Sequence, residues 1–227
     1  MRTLAAGLVA ATVLAGCSTP PQSAPPPAAP TPVTATQTTP APIDPERIRR
    51  VRADLPADFE VADVGGYASS PVAFWGFGRG WTAEPARCTA LVDPAPDGPA
   101  DGVSASGPGG ILYVVVVTAP VGPVGFDPVL LGECGHWLMN YGRASADVDL
   151  ADAPAVAGAA TLGLVSTIRN LVESGTETAS RADTFMAYLG EHVVFVTLVT
   201  DPGSMEPPLP PQFASDLLVK TVATLRG

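Results

Sequence analysis

Ile111-Leu112-Tyr113-Val114-Val115-Val116-Val117-Thr118 is apolar on both faces of an extended chain. A strand with no side to give to water belongs in the middle of a sheet, covered above and below. Just upstream, Gly107-Pro108-Gly109-Gly110 has turn chemistry, and Val103 to Ser106 supplies the other arm of a predicted hairpin. Far downstream, Val193, Val194, Phe195, Val196, Leu198 and Val199 repeat the two-faced pattern. They predict a second central strand over Glu191 to Thr200, joined by a tight turn near Gly190 to a strand over Ser180 to Leu189. Phe59 to Val64 reads as a strand ended by Gly65-Gly66. Ala146, Val148 and Leu150 alternate with Ser145, Asp147 and Asp149, and Thr161 to Val172 forms a long strand turned at Ser174-Gly175.

Three helices are predicted around these strands. Asp44-Pro45-Glu46 combines a side-chain acceptor at the N-cap, Pro in the first turn and a carboxylate near the positive end of the dipole. Its arginines, Arg47, Arg49, Arg50 and Arg52, read as a solvated face, with phospholipid headgroups as the alternative contact. Asp127-Pro128 opens a second helix by the same logic. There Leu130, Cys134, Trp137 and Tyr141 would share one inward stripe, with Gly142 as the stop and Glu133, His136 and Asn140 outward. Gly132 and Gly135 oppose that helix by about 1 kcal/mol each. A Pro-rich loop from Pro207 to Pro211 leads to a final helix with Phe213, Leu217, Leu218, Thr221, Val222 and Leu225 inward and Asp216 paired with Lys220 outside. The fold class is therefore α+β: a single domain over residues 44–227, a largely antiparallel sheet packed against two or three helices.

What precedes residue 44 is not part of that fold. A basic Arg2, an apolar run from Leu4 to Leu14 and small residues before a break make a secretory signal. Leu14-Ala15-Gly16-Cys17 also resembles the lipobox of bacterial lipoproteins. That resemblance implies a signal peptide over residues 1–16 and a mature chain that starts at lipid-modified Cys17. Residues 18–43 hold nine Pro among Ser, Thr and Ala, with no aromatic residue. They cannot bury enough apolar area to offset their ordering entropy, so residues 17–43 read as the lipidated Cys and a disordered Pro/Thr-rich tether. At about 3.1 Å per residue the tether reaches roughly 80 Å, and less if coiled. Thr31, Thr34, Thr36, Thr38 and Thr39 also suit O-glycosylation, with a bare linker as the equal alternative.

The net charge of -10 disfavours nucleic acid, whose phosphates an acidic domain repels. No apolar run beyond the leader reaches the roughly 20 residues that cross a bilayer, so attachment to the membrane falls to acyl chains on Cys17. Two cysteines remain, Cys88 and Cys134. In an exported chain they are expected to pair, closing a long loop worth at most about 4 kcal/mol in chain entropy. The alternatives are two free thiols or a metal pair.

Catalytic signals are weak. His136 and His192 both read as surface residues, and Gly102-Val103-Ser104-Ala105-Ser106 lacks the closing Gly of a nucleophile elbow. Asp147, Asp149 and Asp152 fail the calcium-loop pattern, and alternating Asp on an edge strand suits a solvated face that blocks edge pairing. No zinc set emerges, so no cofactor and no catalytic residue are assigned and the chain reads as a non-enzyme. The unusual segment is Phe74-Trp75-Gly76-Phe77-Gly78-Arg79-Gly80-Trp81. Its Gly spacing is not that of a nucleotide loop. Either its rings plug the rim of the core, or Trp75, Phe77 and Trp81 wall an apolar cleft.

Residues 46–227 resemble the globular part of mycobacterial cell-envelope lipoproteins of unknown function. Phe74-Trp75-Gly76-Phe77-Gly78, Gly80-Trp81-Thr82-Ala83, Gly109-Gly110-Ile111 and the closing Phe213-Ala214-Ser215-Asp216-Leu217-Leu218 to Leu225-Arg226-Gly227 carry the likeness. That family transfers no catalytic residues. More remotely, the layout is similar to the extracellular sensor domain of the mycobacterial kinase PknH, which implies a ligand cleft. That domain has two disulfides, whereas this chain has cysteines for one. The expected function is a lipid-anchored, non-catalytic binding or sensor-like module on the extracytoplasmic face of the cell membrane. Its expected partner is an apolar or amphipathic ligand. The alternative is an envelope protein docked without a small-molecule ligand.

Overall fold

Nine antiparallel strands lie in one sheet in the order β1-β3-β4-β9-β8-β7-β6-β5-β2 in a computed structural model that describes residues 42–66, 68–200 and 204–227. The strands are β1 (Glu60–Gly66), β2 (Thr82–Glu84), β3 (Ala100–Gly107), β4 (Gly110–Thr118), β5 (His136–Tyr141), β6 (Ala144–Ala151), β7 (Ala160–Leu171), β8 (Glu177–Leu189) and β9 (His192–Val199). Among the described residues three α-helices, α1 (Thr89–Val92), α2 (Pro128–Glu133) and α3 (Pro211–Arg226), and three 3₁₀ segments complete the order. The domain is α+β, with an antiparallel sheet and a few helices. Cys17, the signal peptide and most of the tether lie outside the described residues.

The two strands whose sequence is apolar on both faces sit side by side, with Val114 opposite Val196 and Val116 opposite Val194. Because β9 inserts between β4 and β8, the last strand of the chain joins the two halves of the sheet. Leu112, Val114 and Val116 of β4 face one side with Val194, Val196 and Leu198 of β9. That side is covered by α3, through Leu217, Leu218, Val222 and Leu225, and by a 3₁₀ helix over Pro45–Asp54, through Ile48 and Val51. Asp44 caps that 3₁₀ helix by accepting from the Glu46 N–H at 3.2 Å. On the opposite side Val115, Val117 and Phe195 meet a cover made of segments 69–99 and 119–135, which bring Val72, Trp75, Leu91, Val92 and both buried cysteines.

Several sequence expectations change. The helix over 128–141 is only the six residues of α2, and His136–Tyr141 is a strand. Trp137 and Met139 are buried while His136, Leu138 and Asn140 face outward, a period of two. Gly132 and Gly135 weaken the helical option, and β6 offers a full ladder from His136–Asp149 to Tyr141–Ala144. Gly142, at φ +57, turns this hairpin and does not stop a helix. β6 is also not an edge strand: its carboxylates face neighbours, Asp147 pairing with Arg169 and Asp149 with His136 at 3.0 Å. On α3, Lys220 reaches Asp54 at 3.7 Å, and Asp216 accepts from Gln212. The predicted Asp216–Lys220 pair is replaced by these contacts, because the 3₁₀ helix packs beside α3.

Candidate functional site

The cover on the aromatic side is irregular, and each bend has a local cause. Ser70 caps a 3₁₀ turn over Pro71–Trp75: its hydroxyl accepts from the Val72 N–H at 3.3 Å and donates to the Val92 carbonyl at 2.7 Å. That one side chain ties the aromatic segment to the end of α1, next to Asp93. Gly76, at φ +87, ends the turn in the left-handed region and aims Phe77 inward. A disulfide between Cys88 and Cys134, with Cα atoms 5.7 Å apart, ties the start of α1 to the approach to β5. Both sulfur-bearing residues are fully buried.

The four rings then part company. Trp75 and Phe77 are buried at 3% and 4% exposure, whereas Phe74 and Trp81 are half-buried. Phe74 stacks on Tyr113 with centroids 4.1 Å apart, and Phe77 lies over Tyr141 at 6.1 Å. Beside them is a hollow of about 270 Å³. Phe77, Gly78 and Trp81 line one part of it, Ser69, Ser70 and Ala73 another, and Asp93, Pro96 and Asp97 a third. Of the three aromatic residues singled out in the sequence, Phe77 and Trp81 thus reach the hollow, and Trp75 is packed in the core away from its lining. A Cβ at Gly78 would overlap the Tyr141 hydroxyl, so any side chain there must displace that ring.

The hollow is more polar than an apolar cleft. Asp93 lines it, and its Oδ1 is cut off from solvent without a hydrogen-bond partner. Burial, reinforced by the nearby Asp97 charge, pushes the Asp93 carboxyl up to about 6. Asp97 sits in the left-handed region at φ 59, after Pro96 in a turn closed by the Gly98 N–H on the Ala95 carbonyl. A type II turn requires a left-handed residue at its third position and often has Pro at its second, and Asp tolerates that region better than most side chains. Arg79 faces Asp97 at 3.6 Å, with both side chains at least 80% exposed. A concave site holding rings, hydroxyls and a carboxyl displaced from its ordinary value is the usual mark of a binding site.

Asp93 is not among the residues singled out from the sequence. The signal was faint: an acid directly after the apolar Leu91-Val92, before Pro94. The histidines lie elsewhere. His136 is exposed on β5, and His192 opens β9, where burial lowers its pKa against the opposing pull of Glu191. No Ser hydroxyl bonds to either ring among the described residues.

Fold and hollow together define an α+β domain with a single central sheet and a ring-lined, acid-bearing depression in its cover. The chain belongs to the family described as a domain of unknown function, DUF5642, whose pattern matches residues 44–226. No curated protein matches. Among solved structures it is similar to an uncharacterized protein, the Rv0999 ortholog from Mycobacterium smegmatis. The identity is 20% and the TM-score 0.61, over 82% of this chain and 98% of that one. It is also similar to the extracellular domain of PknH from Mycobacterium tuberculosis, at 12% identity and a TM-score of 0.45, over 81% and 91% of the two chains. The first likeness shows a shared fold.

Proposed function

We propose that this protein is a lipid-anchored binding module of the cell envelope, whose hollow beside Trp81 and Phe77 takes a small amphipathic ligand. Export and anchoring rest on the leader and on Leu14-Ala15-Gly16-Cys17, with acyl chains on Cys17 holding the domain by its Pro-rich tether at the extracytoplasmic face. The buried disulfide suits that compartment. The observation that carries the binding reading is the half-buried Trp81 in the same hollow as a carboxyl group that has an unsatisfied oxygen. Trp75 lies in the core and takes no part. The family description assigns no activity, and the reading is non-catalytic.

The test is made on the full chain labelled with ¹⁵N at tryptophan. Envelope lipid and metabolite extracts are added while the three indole N–H resonances are followed. A fraction that moves Trp81 and leaves Trp75 and Trp137 in place supports the hollow as a site. If every fraction leaves Trp81 unmoved, the small-ligand reading fails and docking of an envelope protein takes its place. Mass spectrometry of the mature amino terminus tests the anchor separately, since an unmodified Cys17 thiol removes it.

A further inference from the structure

We infer that the ligand of this hollow carries an organic cation, seated on the Trp81 ring with the Asp93 carboxylate as its counter-ion. The inference rests on the binding reading above and names the chemistry of that ligand.

Asp93 lines the hollow while its Oδ1 is a buried acceptor without a donor; that oxygen does not open into the hollow, but the half-buried carboxylate to which it belongs needs either a proton or a positive charge nearby. The other two charged groups of the hollow, Asp97 and Arg79, face each other and offset one another at its mouth. Asp93, by contrast, has no ion pair among the described residues. An anionic ligand would place a second negative charge beside it. An uncharged ligand would leave the charge uncompensated. A cation answers it, and the neighbouring indole adds a second source of attraction, because a cation is drawn to the face of a Trp ring. The chain's net charge of -10 also gathers cations rather than anions.

The size argues for an organic cation and against a bare metal ion. A hollow of about 270 Å³ has room for more than one bare ion. Two carboxylates and an indole also do not make the oxygen cage that a hard metal ion requires. A quaternary or primary ammonium with a few carbons matches both the volume and the rings. The carboxyl of Asp93 titrates near pH 6, so below that pH its proton competes with the ligand.

Three probes of one shape separate the alternatives: choline, its uncharged isostere 3,3-dimethylbutan-1-ol, and the anion 3,3-dimethylbutanoate. Each is titrated into the full chain at pH 7.5, with the Trp81 indole resonance as readout and those of Trp75 and Trp137 as controls. Choline is expected to shift Trp81 saturably and to bind at least tenfold more tightly than either isostere. Asp93→Asn and a fall to pH 5 should each weaken it about tenfold, and Asp97→Asn should weaken it less. Equal or tighter binding of the alcohol or the acid overturns the cation while leaving the hollow a ligand site. So does undiminished choline affinity in Asp93→Asn, with unchanged Trp75 and Trp137 resonances showing that the variant is folded. If Asp97→Asn costs as much as Asp93→Asn, general acidity and not Asp93 attracts the cation, and the assignment falls. If no probe moves Trp81, both the cation and the small-ligand reading fail.

Discussion

Asp93→Asn should make the empty protein more stable at neutral pH, although it removes a lining residue of the candidate site. The ordinary carboxyl value of 3.8 is raised to about 6, burial being the main cause. Between those two values the folded protein holds a proton that the unfolded chain has released. The stability associated with Asp93 is therefore fully present below about pH 3.8 and is lost as the pH rises through about 6. At about 1.36 kcal/mol per pH unit, the ceiling on the loss is about 3 kcal/mol. Asp93 is only half-buried, so solvent screening reduces the expected figure to about 1 to 1.5 kcal/mol. Asn keeps the shape and drops the charge, so the variant should exceed the parent by that amount at pH 8 and match it at pH 3.5. Urea unfolding at the two pH values measures it, with Trp75 and Trp137 as buried fluorescent reporters and the disulfide left intact. Every other carboxylate acts alike in both proteins, so the difference between the two differences belongs to Asp93. An Asn variant that is equal to the parent, or weaker, at pH 8 would refute the idea that this carboxylate is left uncompensated.

Other perturbations separate the framework from the hollow. Trp75→Ala should cost about 3 to 5 kcal/mol in denaturant unfolding, because it empties a core position, whereas Trp81→Ala should cost about 1 to 2 and abolish choline binding as read by calorimetry. Gly78→Ala should cost about 1 to 3 kcal/mol and displace the Tyr141 ring and its Phe77 neighbour, which a shifted Trp81 indole resonance would report. Reduction and alkylation of Cys88 and Cys134 should lower stability by up to about 4 kcal/mol, read from the denaturant midpoint. His136→Ala should change stability by less than about 1 kcal/mol in denaturant unfolding, since its bond to Asp149 lies in water.

The division between what was legible in the sequence and what was not follows the line between sheet and cover. A strand buried on both faces has one solution, so β4 and β9 were readable as central from composition alone, and their adjacency adds only the register. The segment from Leu130 to Tyr141 had two. Leu130, Cys134, Trp137 and Tyr141 fit a helical stripe, yet Trp137, Met139 and Tyr141 fit an alternation equally well. The choice was made by two glycines that penalise the helix and by a partner strand at the right distance, and only the glycines are visible locally. The cover is harder still. Phe74, Trp75, Phe77 and Trp81 are equivalent in composition, but one 3₁₀ turn and one left-handed glycine send Trp75 into the core and leave Trp81 at the rim. Asp93 looked like any loop acid, because an orphaned oxygen is a property of what surrounds it and not of its neighbours in the chain. Buried unpaired atoms occur on the strands as well, at Trp137, Ser166 and Tyr188, so what sets Asp93 apart is that it also lines a concavity, in the irregular chain that the disulfide and the Ser70 cap hold in place. By that argument, substitutions that alter ligand choice belong in residues 69–99, and the sheet beneath should accept them without changing its strand order.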